Sequence, residues 1–475
     1  MSDDKSRRDQ VRNRNKKTLA SANPQEAPSR EDNKPGLATR RTAHRLMGAI
    51  IDKRTSLDAL TDDQNGNPHY LALEARDRAL LRAILMVALR HRVELDLLID
   101  SYVDKALPAG ATALRNVLHV AFAQILFLDI PDHSAVDLAV ESANRDPRLK
   151  RFASLINALT RRAVRHKDAA LKLIKKSTPR SSTRFSDRLI EVYGPDKAAR
   201  IEAAHRLEAP IDFTVKVAGE IEYWASELGA DILPTGSLRI GALETDIQAL
   251  SGYQQGAWWV QDTAASLPVK LFGELDGKLA LDLCAAPGGK TAQLLAMGAS
   301  VTALDMSANR LRRLAENLER LRLGAQCKLA ATSLFDFEPD QQFDAVLLDA
   351  PCSSTGTVRR HPDIPWTKTW HDIEKLADLQ SRMLDNAAHF VAPGGQLVFS
   401  NCSLDPLEGE EVVRRFLADQ DGFKLRPVDP AQVPGCEDRI SSEGFIRTTP
   451  ADLTFKSPHL SGLDGFFAAI FERIN

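Results

Sequence analysis

The stretch 278–291 constrains the fold of this 475-residue chain more than any other. Its apolar first half is typical of a buried strand that ends at Asp282, and Pro287, Gly288 and Gly289 then break the strand before a helical pattern begins. Glycines at such a point let the backbone approach a ligand closely, and the free N–H groups of the following helix face the same place. The stretch predicts a nucleotide-type cradle, although two glycines after a strand also fit a plain strand-to-helix turn.

Polar and thiol side chains follow three further apolar runs, each at the point where a strand would end. The runs are 301–304 before Asp305, 345–348 before Asp349 and Cys352, and 396–400 before Cys402. Asp305 lies near the roughly 20-residue spacing at which a doubly wound sheet places its ribose-binding acid. Because the carboxyl ends of the strands in an open α/β sheet form the ligand crevice, both thiols and Asp349 should converge beside the cradle.

Three motifs, at 282–291, 349–353 and 401–406, together resemble those of the S-adenosylmethionine-dependent RNA cytosine-5 methyltransferases of the NOL/NOP/Sun family. The resemblance implies a Rossmann-like, doubly wound domain over 271–475 that methylates carbon 5 of a cytosine in RNA. Small-subunit ribosomal RNA is the implied substrate, and S-adenosyl-L-methionine is the implied cofactor. The cofactor-binding positions that it implies are Cys284, Ala285, Ala286, Pro287, Gly288, Gly289, Lys290, Asp305, Arg310, Ser333 and Asp349.

The chemistry of the cytosine ring explains why thiols matter here. Carbon 5 is a poor nucleophile, so an enzyme must first add a nucleophile at carbon 6, and a thiolate suits this step. The resemblance assigns the attack to Cys402 and release of the product to Cys352, while Asp349 hydrogen-bonds the ring edge. It leaves open whether Lys290 contacts the substrate or the cofactor. A buried, inert thiol is the alternative interpretation of Cys402.

Three positions depart from the family pattern. Ser333 stands where an acid usually contacts the adenosine of the cofactor, and Asn401 replaces the usual threonine before the nucleophile. Leu407 stands where an acid is common, which leaves Glu408 and Glu410 nearby. The first departure puts the adenosine contact in question.

Two rival functions stay open at this point. Cys352 follows a proline, which is the setting that DNA cytosine-5 methyltransferases use for their nucleophile, so the chain could act on DNA. A non-catalytic RNA-binding protein with a vestigial methyltransferase fold is the second rival. A Cys–His hydrolase built from Cys402 and His361 lacks an orienting third group in the sequence.

The amino-terminal region has a helical pattern. Residues 1–37 are polar and partly basic, which predicts a flexible arm. From 38 to 168 apolar residues recur at helical spacing, most clearly from Leu114 to Leu126, which predicts an all-α bundle. The stretches 133–139 and 152–159 resemble the end of the NusB family, an RNA-binding fold.

The middle of the chain predicts a connector and a small subdomain. Residues 169–207 form a basic linker with one helix, at 197–206. Residues 208–270 contain strand, helix and strand patterns and predict a small α+β unit, which in the family resembles an RNA-recognition fold. Its Trp258 and Trp259 are candidates for stacking on bases, but neighbouring residues of a strand face opposite ways, so at least one should be buried.

Positive charge is concentrated in one region, although the formal net charge is only −2. From Arg148 to Arg184 the only acid is Asp168 against twelve lysines and arginines. The run predicts a phosphate-binding face, with a solvated helix surface as the alternative. Arg359, Arg360 and His361 are further candidates for phosphate contacts.

Composition excludes several other classes. With 43% hydrophobic and 27% charged residues the chain is typical of a soluble globular protein, and no apolar run approaches membrane-spanning length. The five cysteines are an odd number without metal-ligand spacing, which predicts reduced thiols, no bound metal and a cytoplasmic location. We also expect a monomer with RNA as its partner and no membrane association.

Overall fold

A computed structural model describes residues 34–474 apart from 109, 242 and 244, so the predicted arm at 1–37 lies almost wholly outside the described residues. The α-helices are α1 Leu37–Lys53, α2 Leu57–Leu60, α3 Pro68–Leu71, α4 Ala75–Arg90, α5 Arg92–Tyr102, α6 Thr112–Phe127, α7 Asp132–Asn144, α8 Ala153–Arg165, α9 Lys167–Lys176, α10 Thr183–His205, α11 Ile221–Leu228, α12 Thr263–Lys270, α13 Gly289–Ala296, α14 Ala308–Leu321, α15 Ile364–Thr367, α16 Trp370–Ala388 and α17 Glu410–Asp419. The strands are β1 Ile211–Val215, β2 Asp231–Ile232, β3 Leu238–Ile240, β4 Trp258–Val260, β5 Leu279–Asp282, β6 Ser300–Leu304, β7 Cys327–Ala330, β8 Phe343–Asp349, β9 Val391–Asn401, β10 Phe423–Arg426, β11 Ile446–Thr448 and β12 Phe466–Arg473.

The chain divides into two compact units. The first contains the described residues up to Gly48, together with Asp58–Leu85 and Pro108–Arg165. The second contains Ala49–Leu57, Met86–Leu107 and His166–Asn475. Two segments of the predicted helical region 38–168 thus group with the second unit.

The first unit is all-helical, as its periodicity predicted. Helix α6 lies at its centre, and every apolar residue of the predicted stripe between Leu114 and Leu126 is buried. Helices α7 and α8 pack against α6. Arg40 donates a hydrogen bond of 2.8 Å to the side chain of Gln124, so the buried guanidinium of α1 has a polar partner in the core.

The second unit contains a small antiparallel sheet with strand order β2-β3-β1-β4. Trp258 of β4 is fully buried and packs edge-on against Phe213, with ring centroids 4.7 Å apart. Trp259 on the opposite face is also buried, and its indole donates to Gln261 at 2.9 Å. Trp258 is therefore core, and the burial of both rings argues against the predicted stacking on bases.

The larger sheet of the second unit has the order β10-β12-β9-β8-β5-β6-β7, and β11 pairs with β12. Strands β5 to β9 run parallel, whereas β10, β11 and β12 are antiparallel. This mixed sheet confirms the predicted doubly wound α/β domain and its closing strand near the end of the chain. Because β5, β8 and β9 are neighbours, the loops after them meet at one sheet edge.

The prediction of a linker with a single helix at 197–206 was wrong. Residues 167–205 instead form α9 and α10, and α10 bends where Gly194 adopts a left-handed φ of 74°. Pro195 follows this bend and begins the second half of α10, a position that tolerates proline because no helical N–H is needed there. The inward face of α10 buries Leu189 and Ile201 against Leu404, so packing turns the basic segment into an ordered part of the second unit.

A buried ion pair joins the small sheet to the carboxyl-terminal part of the larger domain. Arg239 of β3 donates to both oxygens of Asp212 at 2.7 Å, and both side chains are almost completely buried. The same guanidinium donates to the carbonyls of Leu460 and Gly462 at 2.9 and 2.8 Å. Thr263 adds two more donors to Asp212, so the pair is fully hydrogen-bonded.

We expect Arg239→Ala to lower the free energy of unfolding by about 3–5 kcal/mol, because it leaves the Asp212 carboxylate buried without its cation. Chemical denaturation of purified protein measures this. Arg312→Ala, which removes an exposed arginine from α14, is the matched control and should change stability by less than about 0.5 kcal/mol. Equal effects of the two substitutions would contradict a stabilising role for the buried pair.

Within the described part of the chain, no helix combines the length and the apolar character needed to cross a bilayer. The same residues contain no cluster of three histidine, cysteine or acidic side chains placed to hold a metal ion.

Candidate active site

The cradle has the predicted strand, turn and helix. Strand β5 ends at Asp282, and α13 begins at Gly289. Gly288 between them has a φ of +104°, and a Cβ atom there would lie 2.8 Å from the side chain of Leu314. The hydroxyl of Thr291 donates to Asp282 at 2.7 Å and ties the start of the helix to the end of the strand. Only glycine fits at position 288 without strain.

The cradle opens into a cavity of about 540 Å³. The predicted site residues that line it are Cys284, Ala285, Ala286, Pro287, Gly288, Gly289, Lys290 and Asp349. Trp259, a candidate from the sequence, also lines the cavity, but sequence reasoning missed other lining residues, notably Gln261, Asn317 and Arg320. Their positions depend on contacts between distant segments, so no local motif marks them.

Asp282 has an unsatisfied oxygen in this cavity. Its Oδ2 accepts from Thr291, but Oδ1 is buried and has no hydrogen-bond partner among the described residues. Burial raises the pKa of this carboxyl to about 7. A buried polar atom without a partner is costly, so the site fits a ligand that brings a donor. The acid that closes the first strand was visible in the sequence but was not selected as a site residue.

Asp305, Arg310 and Ser333 lie beside the cradle but do not line the cavity. Asp305 is buried, accepts from the backbone of Ser307 at 2.9 Å and pairs with Arg310 at 3.0 Å. Arg310 also donates to the carbonyl of Ala286 at 2.5 Å, so it connects Asp305 to the cradle. Ser333 caps the next turn by accepting from Phe335. Their roles toward a cofactor stay predictions.

Asp349, at the end of β8, is held from two sides. Lys290 donates to its Oδ2 at 2.8 Å, and Ser400 donates to its Oδ1 at 2.9 Å. The Lys290 ammonium also lies 4.8 Å from the centre of the Phe466 ring. This lysine therefore links the cradle to the strand ends, and its charge sits beside the place where the two cysteines meet.

Cys352 and Cys402 converge as the parallel-sheet argument predicted. Their sulfur atoms are 3.4 Å apart, within hydrogen-bond distance for thiols, and neither forms a disulfide. A hydrogen bond from the Cys352 thiol, helped by Ser354 and Lys290, lowers the pKa of Cys402. The same bond, with burial and the charge of Glu408, raises the pKa of Cys352. Cys402 is therefore the easier of the two thiols to deprotonate.

A buried carboxylate supports both cysteine loops. Glu408 is fully buried and accepts from the Ser353 backbone at 2.8 Å, from the Ser403 hydroxyl at 2.6 Å and from Gln380 at 3.1 Å. Asn401 accepts from the Ser403 backbone at 2.9 Å and donates to the Glu408 carbonyl. Asn401, a departure from the family pattern, thus fits this network. Position 407, where an acid is common, is Leu407 here, and the acid of the network is the next residue, Glu408.

Comparisons with known proteins agree with this geometry. The family model described as 16S rRNA methyltransferase RsmB/F matches residues 271–472, and the NusB family model matches residues 37–165. The "Ribosomal RNA small subunit methyltransferase B" of Vibrio vulnificus is 35% identical over 398 residues, which cover 80% of this chain and 90% of that protein.

The chain belongs to the ribosomal RNA small subunit methyltransferase B family.

Solved structures agree on the fold of this methyltransferase. The crystal structure of PH0851 aligns with a TM-score of 0.64 and 23% identity over 93% of this chain and 99% of that one, which supports the fold alone. A methyltransferase homolog from Pyrococcus horikoshii aligns with a TM-score of 0.50 and 28% identity over 62% of this chain and 95% of that one.

Arg359 and Arg360 of the methyltransferase are structural, which corrects the prediction that they contact phosphate. Arg359 is buried and donates to the carbonyls of Glu208 and Ser461. Arg360 pairs with Asp262 at 2.7 Å and with Asp464 at 2.8 Å. Their partners lie 98 to 151 residues away in the chain, so the sequence around the Cys352 turn could not reveal them.

Proposed function

We propose that this methyltransferase transfers a methyl group from S-adenosyl-L-methionine to carbon 5 of a cytosine in small-subunit ribosomal RNA, through a covalent bond between Cys402 and the ring. The observation that carries the proposal is the convergence of two thiols 3.4 Å apart with the Lys290–Asp349 pair, beside a cavity of about 540 Å³. Free thiols suit the reducing cytoplasm.

The residues around the cavity fit the cofactor. Its lining combines the turn at Gly288, which lets the backbone come close to a ligand, with the unsatisfied Asp282 oxygen, which suits a positively charged or hydroxyl donor. We assign cofactor binding to the cradle residues 284–290 and to Asp282, with Asp305 as the candidate for the ribose hydroxyls. When bound, S-adenosylmethionine supplies an electrophilic methyl group on a sulfonium sulfur.

The residues of the chain supply the remaining chemistry. The Cys402 thiolate would add to carbon 6 of cytosine, and the electron pair of the ring double bond would make carbon 5 nucleophilic toward the methyl group of the cofactor, whose sulfur would keep the electron pair of the broken S–CH3 bond. Lys290 stabilises the negative charge that develops on the ring during addition, and Asp349, which Lys290 holds in place, hydrogen-bonds the ring edge. After losing its own proton to solvent, Cys352 would accept the proton from carbon 5, the electron pair of that C–H bond would re-form the ring double bond, and Cys402 would leave as a thiolate with the electron pair of the S–C bond.

Similarity to ribosomal RNA methyltransferases supports this assignment over the DNA-enzyme alternative. Attack requires a thiolate, and a thiolate on either sulfur would accept a hydrogen bond from the other thiol 3.4 Å away. The NusB-like unit supports RNA as the substrate, and its helix α8 exposes Arg161, Arg162 and Arg165. Exposed arginines on a helix suit phosphate contacts.

Mapping of 5-methylcytosine in ribosomal RNA tests the proposal. Small-subunit RNA from cells that lack the protein should contain one or more unmodified cytosines that become 5-methylcytosine after incubation with the purified protein and S-adenosylmethionine. Methylation of DNA instead would support the DNA-enzyme alternative. No methylation of either nucleic acid, with RNA binding retained, would support the non-catalytic alternative.

We expect Asp305→Asn to weaken S-adenosylmethionine binding roughly tenfold, because the amide cannot accept both ribose hydroxyls as a charged carboxylate can. Asparagine keeps an oxygen for the Ser307 backbone, so the local turn should survive. Isothermal titration measures the affinity, with Asp421→Asn, an exposed acid, as the control. An unchanged affinity in folded Asp305→Asn protein would remove Asp305 from the site.

A further inference from the structure

A second cavity, of about 670 Å³, lies in the second unit behind the cysteine loops. We call it the tryptophan groove. Its aromatic residues are Phe185, Trp366 and Trp370, its cationic residues are Arg54, Arg184, Arg188 and Lys368, and its floor includes Thr355, Leu404 and Asp405. Its volume is in the range of sites that bind small organic molecules or single bases.

One short loop of the chain borders both the groove and the candidate active site. Leu404 and Asp405 follow Cys402 by two and three residues, and the Leu404 backbone donates to the Thr355 hydroxyl at 2.8 Å. Tyr193 of α10 donates to the Leu404 carbonyl at 2.7 Å. The Cα atoms of Cys402 and Leu404 are at most about 7.6 Å apart, because consecutive Cα atoms are about 3.8 Å apart. The same short loop therefore borders both the thiol pair and the groove.

The side chain of Trp370 is partly exposed in the groove. It is 45% exposed, and the guanidinium of Arg188 lies 4.4 Å from the ring centre on one side. Arg188 is itself fixed by two hydrogen bonds to Asp405, at 2.8 and 2.9 Å. The indole is thus partly exposed to a ligand in the groove, and its position is tied through Arg188 to the loop that carries Cys402.

The groove also contains three cations for which the described residues supply no ion-pair partner. Within the described residues, no carboxylate lies within ion-pair distance of Arg54, Arg184 or Lys368, and all three side chains are exposed. Arg188, in contrast, is paired with Asp405 and Glu191. Asp187 is the remaining acid that lines the groove. Three exposed cations beside the exposed indole of Trp370 favour a partner that has both phosphates and planar bases.

We propose that the tryptophan groove binds an unstacked base that neighbours the target cytosine in the substrate RNA, with Trp370 stacking on that base and Arg54 contacting a flanking phosphate. The proposal rests on the proposed RNA methyltransferase function. Because the loop that carries Cys402 also borders the groove, we expect the bound base to lie a few nucleotides from the target. The groove would therefore help to select which cytosine is methylated.

Binding measurements in a Cys402→Ala background test the proposal without any covalent bond to the RNA. The probe is a fluorescent twelve-nucleotide RNA centred on the cytosine mapped above, and oligouridine of the same length serves if no cytosine is found. Trp370→Ala should weaken binding about tenfold, the usual effect of removing one stacking platform, and Trp370→Phe should restore most of the affinity.

Arg54 has a closely matched control. Arg54 and Arg322 both follow helices with left-handed φ values, 54° and 58°, where glycine is favoured, and both are exposed. Arg54→Gly and Arg322→Gly should both fold normally, but only Arg54→Gly should reduce the slope of log affinity against log salt, by about 0.7 for one lost phosphate contact.

Abasic residues locate the base. With Trp370 present, an abasic residue at one position within three nucleotides of the cytosine should weaken binding about as much as Trp370→Ala does, and in Trp370→Ala protein it should cause no further loss. Additive losses at every position, or unchanged affinity of Trp370→Ala, would overturn the groove proposal even if the unmutated protein methylates RNA. Groove binding without methylation would instead overturn the proposed function and leave the groove as an RNA-binding site.

Discussion

Cys402→Ala is expected to reduce methylation of ribosomal RNA to background and to abolish any covalent complex between protein and RNA. The reason is that, in the proposed mechanism, a thiolate at this position carries the addition to carbon 6, and alanine has no nucleophilic group. Loss of a nucleophile typically costs several orders of magnitude in rate. Transfer of labelled methyl groups to RNA from cells lacking the protein measures the effect.

The control for this variant is Cys327→Ala. Cys327 is also a partly buried free thiol of the same sheet, but it lies on the edge strand β7, away from the thiol pair. Its removal should leave methylation near the unmutated rate. Substantial residual activity in folded Cys402→Ala protein would show that this thiol does not carry the addition.

Cys352→Ala is expected to accumulate a covalent protein–RNA complex that survives denaturation, while multiple-turnover methylation falls to background. Its thiol lies 3.4 Å from the attacking sulfur, so its loss removes the group that assists proton removal from carbon 5 and departure of Cys402. A denaturing gel after incubation with RNA and S-adenosylmethionine should show a retarded band for Cys352→Ala only.

The gel also separates the two possible nucleophiles. A retarded band from Cys402→Ala and none from Cys352→Ala would reverse the roles and support the DNA-enzyme type of chemistry. The double variant should give no band, because it lacks both thiols. A band that persists in the double variant would mean that another side chain forms the complex.

Local motifs were sufficient to predict the parts of the site that lie at strand ends. The convergence of Cys352, Cys402 and Asp349 follows from the rule that parallel strands gather their carboxyl ends at one sheet edge, and β8 and β9 are neighbours. The glycine turn of the cradle was predicted because Pro287, Gly288 and Gly289 follow an apolar run that ends at Asp282. These features depend on order and spacing along the chain, which the sequence contains directly.

Features that depend on distant partners were missed. Its charge alone suggested that Arg360 contacts phosphate, but in the structure Arg360 forms ion pairs with the carboxylates of Asp262 and Asp464. The proline at 195 suggested a break, yet Gly194 lets α10 bend and continue, and burial of Ile201 holds it in place. Glu408 and the free oxygen of Asp282 needed the packed structure, since burial and partner count cannot be read from composition.

The buried ion pair of Arg239 and Asp212, which joins the small sheet to the carboxyl-terminal segment, limits where the chain can be cut or exchanged. The matched methyltransferase region begins at residue 271. Two residues before that region bind residues within it: Arg239 donates a hydrogen bond to the Gly462 carbonyl, and Asp262 forms an ion pair with Arg360. A chain cut at 271 would lose both partners at once and expose a charged seam to solvent. Chimeras with related enzymes should therefore exchange the chain from about Ile211 onward as one piece, so that each arginine travels with its own carboxylate.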